Sequence, residues 1–135
     1  MLSPTVSSVV GTCGPVDAAV SAGKVYVAAG RFVKIIDYAR GHVEIFSHGL
    51  NENVTQISLS RSQKVLAAVG TFGVVLYHTQ KKCTIGWLKC KSRIDAFRFC
   101  NRTEAFGLAL GHILEIWSFQ ASHVNNWSTF LLVNH

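Results

Sequence analysis

Apolar residues along this chain fall into short runs that nowhere sustain a helical period, and the runs repeat. Val25-Tyr26-Val27-Ala28-Ala29-Gly30, Val65-Leu66-Ala67-Ala68-Val69-Gly70 and Phe106-Gly107-Leu108-Ala109-Leu110-Gly111 can be laid under one another, with their closing glycines 40 and 41 residues apart. A second apolar run follows each: Val33 to Tyr38, Val74 to His78 and Leu114 to Phe119. A short alternating segment opens each repeat (Val16 to Ser21, Val54 to Ser60, Ile94 to Phe99), and a segment of mixed polarity closes it (His42 to His48, Cys83 to Cys90, Trp127 to Val133). Between the runs lie Ala22-Gly23, Arg40-Gly41, Asn51-Glu52-Asn53, Ser60-Arg61-Ser62 and Asn101-Arg102, residue types that suit turns.

Four short strands recurring about every 40 residues are the pattern of a propeller blade, in which the middle strands read almost wholly apolar because blades pack face against face. The expected fold is therefore all-β, a β-propeller of degenerate WD40-type repeats with about three four-stranded blades in an incomplete ring. Blade 1 is expected over 16–53, blade 2 over 54–93 and blade 3 over 94–135, behind an N-terminal segment at 1–15. A propeller needs about four blades to close, so three leave apolar faces without a neighbour. The expectation is a fragment or the start of a longer protein, with Thr5 to Val10 offered as the ring-closing outer strand of a last blade.

Composition narrows the classes. Of 135 residues, 49% are hydrophobic and only 15% charged, which excludes a disordered or coiled-coil chain. The most apolar stretch, Lys64 to Tyr77, is broken by Gly70, Thr71 and Gly73, so no membrane anchor is expected; the N-terminus also lacks the pattern of a secretory signal, and the reading is cytoplasmic. Cys13, Cys83, Cys90 and Cys100 contain no C-x-x-C pair, which points to free thiols and to no bound metal. The net charge of +6 suits an anionic partner such as RNA, and equally serves solubility.

Candidate chemistry is sparse. His112, after Gly111, sits in a turn at a rim where a propeller places binding groups, but no carboxylate motif accompanies it, and a lone turn histidine is commonly structural. Asp17 and Asp95 hold the same place in two repeats, with Thr55 between, which suggests capping of backbone at a strand start and not a paired acid and base. No nucleophile elbow, phosphate-cradling glycine loop, methyl-donor loop or zinc-protease motif occurs, so neither catalytic residues nor a cofactor is expected. The run from Lys81 to Arg93 carries Lys81, Lys82, Lys89, Lys91 and Arg93 with Trp87 among them and no acid, as a phosphate-binding surface would; lysines on an outer strand also keep a sheet edge from pairing.

Ile36-Asp37, Tyr77-His78 and Trp117-Ser118 stand where WD repeats carry Trp-Asp, and the full dipeptide appears in none of them. The Asp usual in the second turn is replaced by Arg31, by Thr71 or Phe72, and by His112, so the usual buried polar network is expected to be absent. Gly14-Pro15-Val16-Asp17-Ala18-Ala19-Val20 leading to Val27-Ala28-Ala29-Gly30 and Ile35-Ile36-Asp37-Tyr38 resembles the first blade of the WD repeat-containing protein six family. Leu66 to Val75 looks like its second blade, and Asp95-Ala96-Phe97 with Gly107 to His112 is similar to its third. Members of that family are large, with several propellers, so this chain would correspond to an amino-terminal portion. The resemblance implies a noncatalytic regulatory subunit in 2′-O-methylation of the tRNA wobble nucleotide, partnered by a separate tRNA ribose methyltransferase and in contact with tRNA. The alternative is a general WD40 scaffold that binds other proteins in some other assembly, such as vesicle traffic or ubiquitin ligation.

Overall fold

The computed structural model describes residues 18–21, 23–46, 50–101, 104–119 and 127–134, of which Ser21 and 127–134 are described by backbone alone. The expectations for 1–15, Cys13 and Asp17 lie outside the described residues. Twelve strands form three separate four-stranded antiparallel sheets, each a simple meander. Blade 1 comprises β1 (Ala18–Ser21), β2 (Lys24–Ala29), β3 (Phe32–Asp37) and β4 (His42–Ile45). Blade 2 comprises β5 (Gln56–Leu59), β6 (Val65–Val69), β7 (Gly73–His78) and β8 (Cys83–Lys89). Blade 3 comprises β9 (Ala96–Phe99), β10 (Ala105–Leu110), β11 (Ile113–Phe119) and β12 (Trp127–Asn134).

Blade 2 is sandwiched, which explains its continuous apolar runs. Side chains alternate across a strand, so Leu66, Ala68, Val75 and Tyr77 meet Tyr26, Ala28, Val33 and Ile35 of blade 1, while Val65, Ala67, Val69, Val74 and Leu76 meet Phe97, Phe106, Leu108 and Leu110 of blade 3. Every residue of β6 and β7 is buried. Aromatic rings fill the wider parts of both layers: Phe46 stands edge-on to Tyr77 at 4.2 Å between centroids, and Phe97 stacks on Phe106 at 5.1 Å. Burying one such large side chain contributes roughly 1.5–3 kcal/mol, so these two layers dominate the stability of the three-blade stack.

The backbone repeats as faithfully as the apolar pattern. The N–H groups of Leu50 and Val54, in the link between blades 1 and 2, donate to Arg31 O and Gly30 O in the β2–β3 turn at 3.1 and 2.7 Å. Forty residues on, Cys90 and Ile94 donate to Phe72 O and Thr71 O in the β6–β7 turn at 2.6 and 2.7 Å. Each interblade link is thus pinned to the second turn of the blade before it. One rim of the molecule carries these links and second turns, and the other carries the β1–β2 and β3–β4 types of turn.

This register corrects the alignment of the three glycines. Gly30 and Gly111 occupy the turn with φ of 63° and 65°, a left-handed conformation that a side chain would strain. Gly70 comes one position earlier, paired with Gly73 through its N–H, and Thr71 takes the place in the turn. Gly70 answers a need for space: a Cβ there would lie 2.5 Å from Glu52 Oε1.

The sheets do not close into a ring among the described residues. On the side of blade 1 away from blade 2, Val20 and Ile45 are 65% and 60% exposed, which leaves an apolar sheet face open.

Candidate functional site

The structure divides the basic run. Lys81 and Lys82 lie in the β7–β8 turn, whereas Lys89, Lys91 and Arg93 lie at the far end of β8 and in the link that follows, ~20 Å away along a strand of this length. A single phosphate-binding stripe along the run is therefore not what forms. All five side chains are exposed. Lys82, at φ 55° in the place Gly41 takes in blade 1, donates to Glu44 Oε1 across the interblade gap at 3.0 Å. That hydrogen bond, foremost among the causes, holds the Glu44 carboxyl below its ordinary range. His42 lies 3.5 Å from the same oxygen, and Arg40 lies 3.8 Å from Asp37. On this rim Lys82, His42 and Arg40 each have a carboxylate nearby, whereas Lys81 forms no ion pair among the described residues.

On the linker rim the balance differs. Lys89, Lys91 and Arg93 form no ion pair among the described residues, and Arg93 shares an open cleft of about 530 Å³ with His112 of the β10–β11 turn. The structure thus gathers four of the six sequence candidates at one rim, contributed by two blades. Arg31 belongs with them: it holds in blade 1 the turn position that Phe72 and His112 hold in blades 2 and 3, is exposed, and lies over the Phe32 ring at 5.6 Å. The repeat alignment already put Arg31 in line with His112, and a search confined to one charge run passes over it.

The carboxylates near this rim are committed to backbone. Asp95 Oδ2 accepts the Gly111 N–H at 2.7 Å, the strand-start capping role expected of it. In blade 2 the equivalent Thr55 keeps the same backbone bond, to Val69 O as Asp95 N–H bonds Ala109 O, but its hydroxyl donates to Val69 O as well, and Glu52 serves the turn instead, accepting the Phe72 N–H at 2.7 Å. Different acids from the link therefore tie down the second turn in successive blades.

The slot of the WD dipeptide also keeps a function despite its altered residues. Asp37 Oδ1 accepts the N–H of Arg40 at 3.2 Å, closing the β3–β4 turn. In blade 2, His78 Nδ1 accepts the N–H groups of Gln80 and Lys81 at 3.3 and 3.1 Å. An imidazole accepting there is neutral at Nδ1, and burial, followed by the charges of Lys81 and Lys64, holds its pKa below the ordinary 6.5. The Trp117 indole N–H is buried without a hydrogen-bond partner among the described residues. No three His, Cys, Asp or Glu side chains converge into a metal site among the described residues, and no helix is long and apolar enough to cross a membrane.

No family model matches the chain, and no curated protein matches it. Solved structures do. A chain of the mitotic checkpoint complex matches with a TM-score of 0.67 at 12% identity, covering 84% of this chain and 37% of its own. A chain of the Chaetomium thermophilum heterotrimeric Nup82 NTD–Nup159 TAIL–Nup145N APD complex matches with a TM-score of 0.72 at 13% identity, covering 87% of this chain and 29% of its own. The fold is that of a β-propeller. This chain accordingly spans about a third of the length of the propeller-containing chains it resembles.

Proposed function

We propose that this chain is a noncatalytic propeller module that presents its linker rim to RNA, within a regulatory subunit for tRNA wobble-nucleotide 2′-O-methylation whose catalysis belongs to a separate ribose methyltransferase. The observation that carries the RNA contact is the gathering of Lys89, Lys91, Arg93 and His112 on one rim, with no ion pair formed by the three basic side chains among the described residues. Cations free of protein carboxylates are the ones that release counterions from a phosphate backbone. The methylation role is taken from the likeness of Gly14 to Val20, Leu66 to Val75 and Asp95 to His112 to the WD repeat-containing protein six family. That both solved neighbours come from multiprotein complexes supports work within an assembly.

The test is binding of tRNA across a salt series. A Lys91→Ser/Arg93→Ser double variant is expected to lower the slope of log affinity against log salt by about 1.4–1.8, while Lys82→Ser, whose ammonium is paired with Glu44, leaves it unchanged. Equal loss in both variants, or no tRNA binding, sinks the RNA assignment. A pull-down of the parent protein that recovers other complexes and no ribose methyltransferase would favour the general WD40 scaffold.

A further inference from the structure

Between blades 1 and 2, beside the outer strand β8, runs a groove of about 630 Å³ whose walls include Leu50, Phe72, Val75, Thr84, Trp87 and Lys89. Phe46 of blade 1 packs edge-on against Tyr77, and Trp87, opposite Val75 on β8, is left 64% exposed. A tryptophan so placed is a large apolar surface in water, of the residue type most often found carrying binding energy at interfaces.

We infer that this groove docks an extended, acidic peptide segment bearing a large apolar side chain that covers Trp87. Three observations define that occupant. First, among the described strands β8 pairs with β7 alone, so its outer edge offers N–H and C=O groups to an added strand. Second, Lys89 stands at one end of the groove, with Lys91 and Arg93 exposed just beyond, whereas the one carboxylate lining the groove, Glu52, is held by the Phe72 N–H. The mouth is cationic and complements an acidic segment. Third, the Thr84 hydroxyl, which lines the same groove, is buried without a partner among the described residues, and an acceptor on a bound chain would satisfy it. Thr84 and Lys89 lie ~15 Å apart along the strand, the reach of about five extended residues. The inference deepens the reading of the chain as part of an assembly by naming the chemistry of one protein partner.

The experiment pans a displayed random heptapeptide library on the full chain and titrates synthetic copies of the enriched sequences by fluorescence anisotropy. Enriched peptides should combine Asp or Glu with Phe, Leu or Trp. Trp87→Ala should weaken them at least tenfold, Lys89→Glu about fivefold or more, and Thr84→Val a few-fold, while Lys91→Ser/Arg93→Ser, outside the groove lining, should weaken them less than Lys89→Glu does. Because Trp87 is exposed, its replacement should leave the thermal melt by circular dichroism in place; Lys89→Glu provides an independent arm. No enrichment, enrichment of basic or uncharged peptides, or binding indifferent to Trp87→Ala overturns the inference. So does tRNA binding that is lost with Trp87, which would assign the groove to nucleic acid. Failure at the groove leaves tRNA binding at Lys91 and Arg93 intact, so the two readings fail separately.

Discussion

Protonating His78 should unfasten the turn that it closes, and the effect can be isolated. In the folded chain its Nδ1 accepts two backbone N–H groups, the residue is 6% exposed, and Lys81 and Lys64 add positive charge around it while Glu104 opposes them. A proton on Nδ1 removes both acceptor contacts and buries a charge. The folded-state pKa is accordingly held below the ordinary 6.5, and in the unfolded chain the group returns to that value. The unfolded state therefore takes up the proton first as pH falls. The stabilisation is complete above about pH 6.5, declines by up to about 1.4 kcal/mol per pH unit below it, and levels off once the folded group also titrates. Urea unfolding of the wild type and of His78→Asn, measured from pH 8 to pH 5, separates this from every other titrating group by difference. Asparagine can accept the same N–H groups and does not titrate in this range, so its unfolding free energy should lose less on acidification. Parallel pH profiles for the two proteins, or a steeper loss in His78→Asn, would refute the assignment.

Two further outcomes follow from the geometry. Gly111→Ala, which forces a side chain onto φ 65°, should cost about 1–2 kcal/mol in urea unfolding. Gly70→Ala should cost less, because the atoms a Cβ meets there are the mobile end of Glu52; its mark should be loss of protection of the Phe72 amide in hydrogen exchange. Among the thiols, Cys83 is exposed and should react with an aromatic disulfide reagent in the native state at pH 8. Cys90, buried with its pKa pushed up by burial to about 11, should react only on unfolding; mass mapping of labelled peptides distinguishes them.

The apolar rhythm was enough to read the strands, because a blade buried on both faces leaves runs such as Val65 to Val69 with no polar position at all. The endings were legible too: Asp37 and His78 share a slot in the sequence and share a duty in the turn. Gly70 misled because a glycine states only that something small is required, and it does not say whether the reason is a left-handed turn, as at Gly111, or the passage of Glu52. The basic run is divided for a different reason. Proximity along an extended strand is distance in space, so Lys82 and Lys89 part company while Arg93 and His112, from different blades, meet. The groove beside Trp87 is lined jointly by the link from blade 1 and by the strands of blade 2, a combination that no single repeat encodes.

The paired hydrogen bonds from each interblade link to the preceding second turn have a consequence for how such a chain can diversify. Leu50 and Val54 grip Arg31 and Gly30 with fixed spacing, as Cys90 and Ile94 grip Phe72 and Thr71, so a one-residue insertion within either link throws at least one donor off its carbonyl. Among the described residues the opposite rim carries no such backbone stitch between blades, so its turns can lengthen with less disturbance to the stack. Variation in length should accumulate at the turns around Lys81 and Arg40, and variation in side-chain identity at Arg31, Phe72 and His112, so that one rim evolves by growth and the other by substitution.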